Sequence, residues 1–105
     1  MENVKLTPGT SYMVRRNTET DEWFRVPCRG YFFDAESSDR QPVTLFVHRY
    51  QGEWQADCPI SGARVTKCRR TREEAVSDAL ELVSLFTRSR YDEAVIKERK
   101  RQGVR

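Results

Sequence analysis

At 105 residues the chain has room for one domain with a modest core. One-third of it is charged, mean hydropathy is −0.80 and yet 10% is aromatic; this balance excludes a disordered chain, and no stretch approaches the roughly 18 apolar residues of a membrane helix. The net charge of +3 is uneven, because residues 1–68 carry nine Lys/Arg against nine Asp/Glu while residues 69–105 carry ten against seven, a bias that favours an acidic partner.

Residues 1–9 hold no apolar run of signal-peptide length and end in Thr-Pro-Gly, so a flexible arm and a cytoplasmic location are expected. An antiparallel sheet over residues 10–68 follows. Thr10 to Arg16 alternates as a strand, Asn17 to Glu22 is a polar connection, and Trp23 to Phe33 returns with Phe24, Val26 and Cys28 on one face. Pro27 favours an edge position, and Gly30 predicts a bulge or bend. After the polar loop Asp34 to Pro42, the β-rich run Val43 to Tyr50 predicts the central strand. Gln51-Gly52 turns it into Glu53 to Cys58, and Ser61-Gly62 turns again into a fifth strand, Arg64 to Cys68.

The strongest signal is Lys67 to Phe86. Thr71 with Glu74 makes a T-x-x-E capping box, so the helix begins at Arg72, and Ala75, Val76, Ala79, Leu80, Val83 and Phe86 form its apolar stripe. An unbroken helix to Arg101 would be about 45 Å long at 1.5 Å per residue, too long for so small a domain. A break at Arg88 to Arg90, with Ser89 as a second N-cap and a short terminal helix to about Lys100, is therefore expected, followed by a frayed tail over residues 102–105. The expected architecture is α+β: about five antiparallel strands against one main helix, with the helical part spanning residues 71–101.

Three widely spaced cysteines, Cys28, Cys58 and Cys68, without a C-x-x-C pair, point to buried thiols and to neither a disulfide framework nor a zinc site. His48 is the lone histidine; no spacing joins it to a nucleophile, no glycine-rich phosphate loop occurs, and no cofactor is implied. The candidate binding residues are therefore the basic approach to the helix, Arg64, Lys67, Arg69, Arg70 and Arg72, where cations meet the free N–H groups of a helix start. Trp23, Phe32 and Tyr50 join them as aromatics beside turns or out of alternation. The basic tail, Lys97 to Arg105, reads more simply as complementing the helix dipole.

The run W-Q-A-D-C-P-I-S-G-A-R-V-T from Trp54, followed by T-R-E-E-A-V-S-D-A-L, resembles the strand–turn–strand–helix unit of short phage and plasmid accessory proteins, some anti-CRISPR proteins among them. The resemblance covers residues 54–86 and transfers no individual residue. It implies a non-catalytic inhibitor that occupies a larger host protein or nucleoprotein assembly and blocks nucleic-acid access. The alternative is a module that binds DNA or RNA directly through the basic segment. Self-association through an edge strand or the terminal helix is compatible with either.

Overall fold

The computed structural model describes residues 4–103. Four strands, β1 (Thr7–Arg16), β2 (Trp23–Glu36), β3 (Pro42–Tyr50) and β4 (Glu53–Asp57), precede two helices, α1 (Arg72–Val83) and α2 (Arg88–Arg101). The strands form an antiparallel meander in the order β1-β2-β3-β4, so every connection is short and local. Each has its own cause. Asn17 Oδ1 accepts the Glu19 N–H at 2.9 Å and folds the first connection back on itself. Ser37 Oγ accepts the Gln41 N–H at 3.0 Å in the second. Gln51 and Gly52 take φ values of 51° and 82°, the two-residue geometry that matches the twist of a tight hairpin.

Strand alternation separates two faces. One carries Phe33, Ala35, Val43, Leu45, Val47 and Ala56 against Ala75, Val76, Ala79 and Val83 of α1, all buried. Each fully buried Val, Leu or Phe there contributes about 1.5–3 kcal/mol of transfer free energy. The other face carries Met13, Phe46, His48, Gln55 and Asp57, equally buried. It is enclosed because the sheet coils: the Val14 N–H donates to the Gly62 carbonyl at 3.2 Å, tying the first strand to the loop after the last. Gly30 marks a close approach. A Cβ there would collide with the Val47 carbonyl and crowd the Phe46 ring, whereas the register on both sides runs through it without the expected bulge. Pro27 lies on an inner strand, but in the part of β2 that pairs with β1 alone, since the β3 pairing begins at Gly30.

Several expectations are corrected. The sheet has four strands rather than about five. The expected fifth strand, Arg64 to Cys68, meets β4 at one isolated bridge, Asp57 with Arg64, and the chain meets it again just beyond, at the bridge of Trp54 with Arg69. Three residue steps on β4 thus face five on the returning chain, and a regular ladder cannot absorb the two extra residues. Thr7 to Gly9 belong to β1 rather than to an arm, and β2 runs on to Glu36. Residues 1–3 of the expected arm and 104–105 of the expected tail lie outside the described residues.

Helix α1 starts at Arg72 with Thr71 as its cap, as the capping signal predicts, and the Thr71 oxygen accepts the Glu74 N–H at 3.1 Å. It ends at Val83, one turn before Phe86, which is 44% exposed. The break falls between Ser84 and Thr87, and Thr87, not Ser89, caps α2. The reason is tertiary: Asp39, on the loop between β2 and β3, accepts the Arg88 N–H at 2.9 Å and pins the start of α2 there. The Asp39 carboxyl is held below the usual carboxylate range by the Ser37 hydroxyl and by this N–H. All three cysteines are free thiols, with Cys58 buried and Cys28 and Cys68 half-buried. Among the described residues no helix is long and apolar enough to cross a membrane.

Candidate functional site

Two polar constellations stand out, one sealed and one open. The sealed one lies on the inner face. His48 Nε2 meets Asp57 Oδ2 at 2.6 Å, the Gln55 amide donates to Asp57 Oδ1 at 2.7 Å, and the Cys68 thiol donates to Gln55 Oε1 at 3.4 Å. The other imidazole nitrogen faces the Arg49 carbonyl at 2.9 Å. Both ring nitrogens therefore face acceptors, which suits an imidazolium against a carboxylate. Burial is the largest influence and opposes the charged ring, yet the hydrogen bond and charge of Asp57 outweigh it, so the His48 pKa lies above the ordinary histidine value. His48 is 0% exposed and Asp57 1%, so no substrate reaches the pair. Cys28 has its thiol pKa pushed up chiefly by burial, the opposite of what an activated nucleophile needs.

The open constellation lies on the α1 side of the sheet, beyond the area that the helix covers. Pairing sets Thr10 opposite Arg29 and Arg49 opposite Trp54, and the β2–β3 register, extended one residue past Gly30 with His48, sets Arg29 beside Arg49. A row of Thr10, Arg29, Arg49 and Trp54 thus crosses all four strands, about 15 Å at 4.8 Å per strand. Tyr31, two residues along β2 from Arg29, points to the same face. Its ring lies 6.5 Å from that of Trp54 at 35°, and both are half-buried, with part of each packed on the core. The Arg49 guanidinium sits 5.7 Å from the Trp54 ring centre and that of Arg72, from the first turn of α1, sits 4.7 Å over Tyr31. Pro8, Thr10, Arg29, Tyr31, Arg49 and Trp54 line a shallow groove of about 620 Å³.

Charge is uncompensated in this groove. Among the described residues no carboxylate lies within 4 Å of Arg29 or Arg49, and Arg72 has only the exposed Glu73 at 3.4 Å. The Arg72 Nε is buried without a hydrogen-bond partner. Stacked guanidinium groups keep their N–H edges free, and those edges match the oxygens of phosphate or carboxylate.

The residues suggested by the sequence divide accordingly. Arg69 is spent on structure, bonded to Glu74 and Asp78 at 2.6 Å each, which holds the Glu74 carboxyl below its usual range. That contact also explains why the capping box is half made: the Glu74 carboxylate reaches Arg69 instead of turning back to the cap backbone. Arg72 belongs to the groove, whereas Arg70 is exposed but does not line it. Arg64 and Lys67 are exposed, but Arg64 bridges to Asp57, at the far end of β4 from the groove residue Trp54. Trp23 lies under Arg101, Phe32 packs on Phe46, and Tyr50 lies under Arg15; none joins the groove. Trp23, Phe32 and Tyr50 stand out from the runs in which aromatics and arginines interleave, Trp23-Phe24-Arg25, Arg29-Gly30-Tyr31-Phe32-Phe33 and His48-Arg49-Tyr50; Arg29, Tyr31 and Arg49 of the groove lie in the same runs, and Trp54 lies outside them. The spacing Arg29-x-Tyr31 and a hairpin closed at Gln51-Gly52, which sets Arg49 against Trp54, are the signals that point to them.

The site defined by this fold is a cationic, aromatic-floored groove on a small α+β sheet. No family model, curated protein or solved structure matches the chain.

Proposed function

We propose that the protein is a non-catalytic binding module that docks its arginine and aromatic groove onto an anionic surface of a larger nucleoprotein assembly. The observation that carries this reading is the gathering of Arg29, Arg49 and Arg72 around Tyr31 and Trp54, with little carboxylate to neutralise them. Half-buried aromatic and arginine side chains are the residue types that dominate binding energy at interfaces. In its sharper, anti-CRISPR-like form, such docking inhibits the assembly by blocking nucleic-acid access. The sign of the groove bears on how: a basic face does not imitate a phosphate backbone, so inhibition would proceed by capturing the anionic component of the assembly.

The test is a pull-down from cell lysate, run with and without nuclease, with three forms: wild type, Arg29→Glu/Arg49→Glu, and the charge-matched control Arg90→Glu/Lys97→Glu on α2. A partner kept by wild type and control but lost with the groove variant supports the reading. The same partners for all three forms, or chaperones alone, contradict it.

A further inference from the structure

Resting on that reading, we propose that the anionic ligand of the groove is single-stranded nucleic acid, with bases stacked on the Tyr31 and Trp54 floor and flanking phosphates held by Arg29 and Arg49. Three observations favour a single strand. Stacking is available only to bases whose faces are free, and the groove presents two half-exposed rings at its floor rather than hydrogen-bonding side chains aimed at base edges. Its two strand cations, Arg29 and Arg49, sit side by side within the row of about 15 Å, a footprint that suits a few nucleotides of flexible backbone but not the two separated phosphate strands of a duplex. The helix beside the groove, α1, does not stand free to enter a major groove: its apolar side is packed on the sheet, and its first turn is engaged through Thr71, Glu74 and Arg72. An aromatic floor with arginines laid on the rings is tolerant of sequence, because every base has a π-face. Ring faces meet bases and guanidinium groups meet phosphates in DNA and RNA alike, so single strands of both are ligands of this chemistry.

The experiment is fluorescence anisotropy at low salt with labelled 15-mers of deoxythymidine and of uridine and with a 15-base-pair duplex. The expected result is saturable binding of both single strands, at least tenfold tighter than the duplex, weakening steeply as salt rises. Arg29→Gln/Arg49→Gln, both exposed and free of ion pairs, should lose tenfold or more and reduce the salt slope by about 1.4, or 0.7 per phosphate contact. Trp54→Leu should weaken binding roughly tenfold with the slope unchanged, since stacking releases no counterions. Should Trp54→Leu disturb folding, Trp23→Phe leaves Trp54 as the sole indole, and its emission should be quenched on adding the oligonucleotide. Equal or tighter duplex binding, or groove variants without effect on affinity, overturns the proposal. No oligonucleotide binding, together with a nuclease-resistant partner lost by Arg29→Glu/Arg49→Glu, overturns the single-strand assignment and leaves the docking reading standing. Loss of neither overturns both.

Discussion

The inner face and the groove use the same kinds of side chain to opposite ends. On the inner face every polar atom of His48, Gln55 and Asp57 has a partner, and the cluster is sealed from water. In the groove Arg49 lies over the Trp54 ring and Arg29 lines the same wall, both with their charge unanswered among the described residues. A buried ion pair that is fully hydrogen-bonded is costly to break and inert to ligands. An exposed cation is inexpensive to keep and free to act. The distinction matters because a histidine beside an aspartate, with a cysteine two hydrogen bonds further on through Gln55, has the composition of a catalytic site and lacks its access.

The largest expected effect lies on the sealed side. Asp57→Ala strands a buried imidazolium and leaves the Gln55 amide without its acceptor, and should cost about 3–5 kcal/mol in urea unfolding. A cost near zero would mean that the ring is neutral in the native protein. The same pair predicts a pH dependence. The folded pKa of His48 is raised, so the folded state holds its proton more tightly than the unfolded one; this stabilisation is complete below about 6.5, the unfolded value, and is lost as pH rises through the folded pKa. Thermal midpoints should therefore fall on the alkaline side, and His48→Gln should remove that component of the fall.

Next in size is the helix start. Thr71→Ala should cost about 1 kcal/mol and be nearly rescued by Ser or Asn at that position, because the loss is the bond to the Glu74 N–H. Smallest in stability are Arg29→Gln and Arg49→Gln, each within about 0.5 kcal/mol of wild type by chemical denaturation, since they break no ion pair. If either destabilises the fold by several times that amount, the groove arginines are structural and the contrast fails.

Much of this architecture was legible in the chain, and the reasons are local. Thr71, Glu74 and the Ala75, Val76, Ala79, Val83 stripe carry α1 within a few residues, and Gln51-Gly52 carries its hairpin by backbone preference alone. What was not legible depended on distant groups. The break before α2 is expected from helix length, but its position and its cap, Thr87, are set by Asp39, 49 residues from the N–H it accepts. The absent fifth strand turns on a mismatch of residue count between two bridges, which no periodicity records. The groove was hidden for a related reason. Alternation says which face Trp54 and Tyr31 point to, but only the length of α1 and its position on the sheet decide which rows of that face stay uncovered. Arg69 illustrates the converse: in the sequence it is indistinguishable from Arg70, whereas in the fold Asp78, one helical turn beyond Glu74, completes its neutralisation.

The central claim is that uncompensated arginines on the aromatic row, and not the basic segment as a whole, form the working surface. It is tested most directly by one anisotropy titration against the single-stranded 15-mer, comparing Arg29→Gln/Arg49→Gln with Arg64→Gln/Lys67→Gln, two pairs that remove the same charge. The groove pair should lose tenfold or more in affinity and the other pair less than twofold. Equal losses, or a larger loss from Arg64 and Lys67, would contradict the account.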